Sequence, residues 1–240
     1  MVDVNQYIDN CNENLWKEFS GKFNINVKYS TNNYYSNFLK DKVCTIYVLR
    51  DVPDYASFTH ELLHLYLPYH KVYIGGAIKC MLSEKNVLNT IFDAPLYDHI
   101  SNCLEHIKML PLFVGMGYPI DKFLKDYYSE KLTVNEVERL CKGYKKGFIS
   151  YKYDKRFVNY FIGKFFAAKA DINQGNDYKE QLKKLKELDN ELYIVLDSFW
   201  KEWVNYDVEK KREIWEDNYN DLVTNLSLGL ESWCSKRRFV

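Results

Sequence analysis

Two histidines and a glutamate stand at a spacing that suits metal chemistry. The segment His60-Glu61-Leu62-Leu63-His64 has the form HExxH. On a helix, residues four apart lie about 40° apart around the axis and one turn along it, so both imidazoles project from one face. Such imidazoles can share a Zn²⁺ ion at about 2.0–2.1 Å each, and the nearby carboxylate can accept a proton from activated water. The segment therefore predicts a zinc site with His60 and His64 as ligands and Glu61 as general base.

The pattern is rarely produced by chance in a chain with this composition. With five histidines in 240 residues, HExxH is expected by chance in roughly 0.7% of such chains. The segment also lies among apolar residues, including Phe58, Leu65 and Leu67, which predicts a largely buried helix. A buried glutamate between two histidines would be costly without a metal. The alternative interpretation is a core histidine pair that binds no metal.

The motif and its place among the predicted elements resemble the zincin metallopeptidases, in which strands precede the motif helix and a second ligand-bearing helix follows. The resemblance implies that His60 and His64 bind zinc and that Glu61 is general base and proton shuttle. The metzincin extension HExxHxxGxxH does not fit, because Leu67 replaces its glycine. The spacing to the next candidates is similar to that of the gluzincins, in which a later helix supplies a glutamate ligand.

The third ligand is expected from a downstream helix. In the gluzincins an asparagine often precedes the glutamate ligand by three positions, and Asn102 and Glu105 match that pattern. On the same helix, His99 and His106 share a face beside the apolar stripe. A candidate that does not bind the metal would orient a ligand or the metal-bound water. In order of preference, the candidates are Glu105, then His106, then His99 or Asp98.

Hydrolysis also needs a group that stabilises the oxyanion formed when water attacks a carbonyl, often a tyrosine or a histidine. The sequence offers several such groups near the motif and selects none of them. They are Tyr66, Tyr69, His70, Tyr73, Tyr97 and His99.

Apolar periodicity predicts the elements that position these residues. Alternation predicts a strand over 23–29, and a continuous apolar run predicts a more buried strand over 43–49. The motif helix is predicted over 55–67, and the ligand helix over 95–110, between Asp93 and Pro111. Further predictions are helices over 5–20, 77–91, 134–146 with a Thr133–Glu136 capping box, a long helix through Leu182–Trp203, one over 208–235, and a turn at Gly75-Gly76.

These elements predict an α+β, predominantly helical protein. Its expected architecture is a zincin-like small sheet plus metal-binding helices, with a helical C-terminal part. We predict a zincin-like catalytic part over residues 1–130 and a helical C-terminal part over 131–240, which could also form one continuous domain.

Composition excludes several classes of protein. The 33 Lys and Arg balance the 33 Asp and Glu, which argues against nucleic acid or an anionic membrane as partner. The six cysteines are scattered and predict reduced, mostly buried thiols. The sequence starts without a basic and then apolar signal, and no apolar run approaches the roughly 20 residues that span a bilayer. We expect a cytoplasmic protein.

The preferred interpretation is a zinc-dependent hydrolase, a metallopeptidase that acts on a peptide or protein substrate. One alternative is a non-catalytic or structural metal-site protein whose helical half binds a protein partner, as a regulator or toxin-like effector. Another is a metal-dependent hydrolase of a non-peptide amide. The sequence predicts neither the oligomeric state nor the cleavage specificity.

Overall fold

The computed structural model describes residues 2–50, 53–146, 152–210 and 218–240. Helices dominate these residues and a small mixed sheet accompanies them, which confirms the α+β, predominantly helical class. None of the helices in these ranges is long and apolar enough to cross a membrane. The helices are α1 Glu13–Ser20, α2 Tyr55–Leu63, α3 Tyr66–Tyr69, α4 Ile74–Ser83, α5 Asn86–Asn89, α6 Ala94–Gly115, α7 Val134–Gly143, α8 Lys155–Lys169, α9 Lys179–Leu188, α10 Asn190–Asn205 and α11 Tyr219–Ser235; the strands are β1 Asn24–Tyr29, β2 Ser36–Lys40, β3 Val43–Val48, β4 Lys145–Lys146 and β5 Lys152–Tyr153.

The chain divides into two compact units. The first comprises residues 1–72 and 107–128, and the second comprises 73–106 and 129–240. The chain therefore passes from one unit to the other three times, whereas a single boundary near residue 130 was predicted from the sequence. Helix α6 supplies residues to both units, with the division between His106 and Ile107.

The first unit is built on a three-stranded sheet in the order β1-β3-β2, with β1 parallel and β2 antiparallel to β3. Asn37 of β2 pairs with Ile46 of β3. A turn at Asp41, whose φ of 55° an aspartate tolerates, joins the two strands. Strand β3 alternates rather than being buried throughout, since Cys44, Ile46 and Val48 face the core and their neighbours do not.

The inward face of β3 forms one core with the apolar face of α2. Phe58, Leu62 and Leu65 of the motif segment pack there, completely withdrawn from water. Because burial of an apolar side chain contributes about 1.5–3 kcal/mol, this core fixes which face of α2 points away from the sheet. The core cluster comprises Tyr7, Phe19, Phe23, Tyr35, Cys44, Ile46, Val48, Phe58, Leu62 and Leu65.

Among its described residues, the second unit is helical apart from the antiparallel pair of short strands β4 and β5. The long helix predicted through Leu182–Trp203 is instead two helices, α9 and α10, separated at Asp189. The Asp189 side chain accepts the backbone N–H of Leu192 at 3.1 Å and so caps a new helix. The capping box at Thr133 and Glu136 is confirmed, with both reciprocal hydrogen bonds present.

Several other boundaries differ from the predictions. The predicted helix over 5–20 is a 3₁₀ turn at Val4–Tyr7 followed by α1. The helix over 55–67 ends at Leu63 and resumes as the single turn α3, which contains Pro68. The helix predicted over 77–91 starts at Ile74 and is interrupted between α4 and α5. Part of the helix predicted over 208–235 lies outside the described residues, which include α11.

Two further differences from the predictions concern Pro111 and Gly75. Pro111 was expected to end the ligand helix, but α6 continues through it to Gly115. The continuation costs the hydrogen bond that residue 111 would donate four residues back. Gly75 was expected in a turn, but it lies in α4, where a Cβ would come 1.9 Å from Ser101 Oγ. Glycine is required there because α4 and α6 approach each other closely.

Candidate metal centre

The start of α2 is anchored by side chains of the first unit. Asp54 caps the helix by accepting the Ser57 backbone N–H at 3.1 Å. The backbone N–H of Asp54 in turn donates to the Tyr35 hydroxyl at 3.1 Å. Since Tyr35 belongs to the sheet-side core, the helix that carries the motif begins at a position set by the sheet.

A buried polar contact fixes the middle of α2. Thr59 and Asn12 are both fully buried. Asn12 Nδ2 donates to Thr59 Oγ1 at 2.9 Å and to the Tyr7 carbonyl at 3.0 Å, and Thr59 Oγ1 donates to the Tyr55 carbonyl at 2.7 Å. Because a buried polar group is costly unless its bonds are made, this cluster holds the helix backbone next to His60.

The two motif histidines lie side by side at the end of α2. Their ring centroids are 5.1 Å apart, at an interplanar angle of 76°, as expected from the i, i+4 spacing. His60 also packs against Phe123, with a centroid distance of 4.7 Å. Burial, with a smaller contribution from His64, lowers the pKa of His60 to about 3, although a hydrogen bond with the Phe123 backbone opposes it. His60 is therefore neutral near pH 7, which is the form that binds a metal ion.

Glu61 lies beside the histidines with one acceptor oxygen engaged. Asn37 Nδ2 of β2 donates to Glu61 Oε2 at 2.8 Å, and no other described residue donates to this carboxylate. Burial raises the pKa of Glu61, while the charges of His64 and Lys125 and the Asn37 hydrogen bond partly offset the rise. A partly buried carboxylate with a raised pKa is suited to accept a proton.

His106 joins the two motif histidines. One ligand atom from each of His60, His64 and His106 lies within 4.8 Å of the others, and these three form a group that could hold a metal ion. His106 is the last residue before the division of α6 between the units. For comparison, the ligand atoms of a tetrahedral zinc site lie about 3.3 Å apart. The donor set fits a metal of the kind that imidazole prefers, such as zinc.

The other third-ligand candidates lie elsewhere on α6. The carboxylate of Glu105, the preferred candidate of the sequence analysis, accepts the Ser101 hydroxyl at 2.7 Å and is not in the histidine group. Asp98 is exposed. His99 is exposed too, and its Nε2 lies 3.0 Å from the Gly163 carbonyl, within the second unit. Helical spacing placed both Glu105 and His106 on coherent faces and could not choose between them.

The tyrosines and histidines offered for oxyanion stabilisation are not the ones that line the cleft beside Glu61. Tyr66 and Tyr69 contact His70 on the turn α3. Within the second unit, Tyr73 is exposed and Tyr97 is buried. The cleft is lined instead by Tyr34, Tyr35, Ser57, His60, Glu61, Lys122, Phe123, Leu124 and Lys125.

Sequence reasoning missed the cleft residues for two reasons. The strand β2 and the tyrosines before it were not predicted, because Ser36–Lys40 follows the polar segment Ser30–Asn33 and does not alternate between polar and apolar residues. The sequence therefore carried no periodic signal for Asn37. Residues 122–125 carry no periodic signal, since they form a 3₁₀ turn and loop after α6.

The cysteines form no disulfide. All six are free, three of them buried and three exposed, so the prediction that most are buried is wrong.

Comparison of the chain with protein-family models, with curated proteins and with solved structures found no match.

Proposed function

We propose that this chain is a zinc-dependent hydrolase of the metallopeptidase type, with His60, His64 and His106 as ligands and Glu61 as general base. The proposal is supported above all by three histidines, each with one ligand nitrogen within 4.8 Å of the others, beside a partly buried carboxylate. Three protein ligands leave a coordination position open, as in catalytic rather than structural zinc sites. Glu105 is not adopted as third ligand, because it lies outside this group.

The residues around the site suit hydrolysis of an amide bond. A zinc ion held by the three histidines would supply Lewis-acid polarisation and lower the pKa of water. Glu61 accepts the proton of the attacking water and returns it to the leaving amine. Asn37 engages Glu61 Oε2, so it orients the carboxylate and leaves Oε1 to carry the proton. Phe123 covers one face of His60 and keeps that ligand dry and neutral.

Metal analysis of two neighbouring variants tests the ligand set. We expect the purified protein to hold about one equivalent of zinc, His106→Ala to lose it, and Glu105→Gln to retain it. The two substitutions lie on adjacent residues of the same helix, so each controls for disturbance of α6 by the other. Loss of zinc in Glu105→Gln, with retention in His106→Ala, would restore the gluzincin-like ligand set.

A peptide digest tests the role of Glu61. We expect the wild-type protein to cleave members of a mixed peptide library, and Glu61→Gln to be slower by about 10²–10⁴-fold with its zinc retained. Full activity in Glu61→Gln would refute the general-base role. Zinc at full occupancy with no cleavage of any peptide or simple amide would favour the alternative of a structural metal site.

A further inference from the structure

The cleft beside Glu61 is the feature that indicates what kind of substrate this site would take. It has a volume of about 260 Å³, and all its lining residues belong to the first unit. Pockets for small molecules usually measure about 300–1,000 Å³, so the cleft has room for one or two residues of an extended chain. Its size therefore limits what it can recognise to groups close to the reacting bond.

Two cations line this cleft without ion-pair partners. Lys122 and Lys125 are both exposed, and neither forms a salt bridge with any carboxylate in the described part of the chain. Asp121, the acid nearest in sequence to Lys122, accepts the Tyr128 hydroxyl at 3.1 Å. Lys125 Nζ lies 5.6 Å from the centre of the Tyr34 ring, a cation–π contact that holds the ammonium at the cleft wall. Both lysines therefore keep their capacity for an anionic ligand.

A second cavity, of about 370 Å³, differs from this cleft because the cations that line it form ion pairs. It lies within the second unit and is also lined by two cations, Arg156 and Lys164. There Lys164 Nζ pairs with Glu136 at 2.6 Å and Arg156 pairs with Asp154 at 3.0 Å. Its cations are thus paired within the protein, whereas Lys122 and Lys125 form no ion pair in the described part of the chain and only Lys125 acts at longer range on Glu61.

We infer that the cleft selects peptide substrates that carry a carboxylate close to the scissile bond, with Lys122 and Lys125 as the specificity-determining residues. The inference rests on the proposed hydrolase function and adds the substrate class to it. The carboxylate pairs with the two ammonium groups, and the ring of Tyr34 packs against the aliphatic part of the same residue. The carboxylate has two sources, an internal Asp or Glu side chain or the C-terminal carboxylate of the chain being cleaved.

A matched set of peptides tests this specificity by binding as well as by cleavage. The probes are fluorescent alanine-based decapeptides with both ends blocked and one central glutamate or glutamine, and the glutamine peptide with a free C-terminus. Binding is measured by fluorescence anisotropy on the Glu61→Gln protein, which does not turn them over under the proposed mechanism. We expect the peptide with the preferred carboxylate to bind about three- to tenfold more tightly than the blocked glutamine peptide. Preference for the internal glutamate or for the free C-terminus identifies the source.

Variants of Lys122 and Lys125 test whether these two residues cause the preference for peptides that carry a carboxylate. In the double variant Lys122→Ala, Lys125→Ala we expect the affinity ratio to fall to about one. The double arginine variant should keep it, and so should Lys42→Ala, which removes an exposed lysine elsewhere in the first unit. A carboxylate preference that survives removal of both lysines would overturn the inference, because the metal would then be the cation that recognises it.

Failure of this inference and failure of the proposed function give different results. If the wild-type protein cleaves the carboxylate peptides and the blocked glutamine peptide at equal rates, the hydrolase stands and the specificity is refuted. If it cleaves none, yet binds a carboxylate peptide preferentially through Lys122 and Lys125, the recognition stands and the hydrolase is refuted. Equal binding of all three peptides, with no cleavage, refutes both.

Discussion

Asp189 in the second unit is a buried carboxylate and Glu61 in the first unit is a partly buried one, and they differ in how many hydrogen-bond donors reach them. Asp189 accepts the Tyr144 hydroxyl at 3.1 Å, the Trp233 indole N–H at 3.0 Å and the Arg237 guanidinium at 3.3 Å, besides its helix-capping bond. Glu61 accepts one amide N–H, from Asn37. A carboxylate whose oxygens all accept hydrogen bonds stabilises the fold, whereas a carboxylate with an unoccupied acceptor position keeps the capacity to exchange a proton.

The second difference concerns positive charge. Arg237 compensates Asp189 within the protein, and its side chain is largely buried with it. Around Glu61, His60 and His64 belong to a histidine group that could hold a metal ion, and the charge of Lys125 partly offsets the effect of burial on the Glu61 pKa. The charge that compensates Asp189 thus comes from the protein itself, whereas beside Glu61 the proposed metal ion would supply it.

Removal of Asp189 should cause the largest loss of stability. Asp189→Ala leaves the Arg237 charge, the Tyr144 hydroxyl and the Trp233 N–H without their acceptor and removes the cap of α10. We expect the free energy of unfolding to fall by about 3–5 kcal/mol, measured by urea denaturation with tryptophan fluorescence. A matched control is Asn159→Ala, which removes a partly buried side-chain amide of α8 that donates to two backbone carbonyls. We expect this variant to lose less of the free energy of unfolding. A change below that of the control would mean that the cluster is dispensable.

Metal removal should affect the first unit and leave the Asp189 cluster unchanged. At a free zinc concentration 100 times the dissociation constant, binding should stabilise the folded state by about 2.7 kcal/mol. Hydrogen exchange, measured with and without a chelator, should show lower protection of α2 after chelation and equal protection of α11. The variant His60→Ala should show no response to the chelator. Equal loss of protection in both helices would show that the two clusters are not independent.

The pH dependence of stability can measure how much a carboxylate with several hydrogen-bond donors, Glu136, contributes to the free energy of unfolding. Burial raises the pKa of this residue, but hydrogen bonds from Lys164, from the Thr133 backbone and from Tyr160 outweigh burial and lower the pKa to about 2. Because the folded-state pKa lies below the unfolded value, the stabilisation is fully present above about pH 4.5 and is lost as the pH falls towards 2. We expect a loss of about 1–2 kcal/mol, reduced by the partial exposure of the pair.

Denaturation curves between pH 2 and 6 measure this loss for the wild-type protein and for Glu136→Gln. The variant should be less stable at pH 6 and should lack this component of the pH dependence. Parallel curves for the two proteins across the whole range would contradict the assignment.

Replacement of Glu61 should have the smallest effect on stability. Since one donor compensates its buried charge, Glu61→Gln in the metal-free protein should change the free energy of unfolding by less than about 1 kcal/mol and tend to increase it. Urea denaturation with a chelator present provides the measurement. A loss similar to that of Asp189→Ala would place Glu61 among the structural carboxylates and weaken its assignment as general base.

The sequence predicted the parts of the site that are local. The spacing of His60 and His64 sufficed to place both rings on one face, and the helix starts at Asp93 and Thr133 follow from side chains that bond to nearby backbone. Which residue of α6 groups with the two motif histidines could not be predicted, because Glu105 and His106 are neighbours and only the tertiary rotation of α6 distinguishes them. Asn37 was missed for a similar reason, as β2 is defined by its pairing with β3 more than by its own residues.

The break at Asp189 shows local and tertiary factors in competition. The leucine stripe through residues 182–203 favours one helix. The aspartate ends it because its side chain caps the next helix and simultaneously gathers the donors of Tyr144, Trp233 and Arg237. Those donors come from distant parts of the sequence, so no periodicity within the stripe could reveal them.

The pairing of β2 with β3 makes the length of a surface turn matter to the chemistry. Asn37 lies opposite Ile46 and shares its inward face, while the next residue, Phe38, is 62% exposed on the other side. Because side chains alternate along a strand, one residue inserted at Asp41 would exchange the two faces and present a phenyl ring to Glu61 in place of an amide. Substitutions in that turn thus leave the contact between Asn37 and Glu61 in place, whereas a change in the number of its residues is expected to remove that contact.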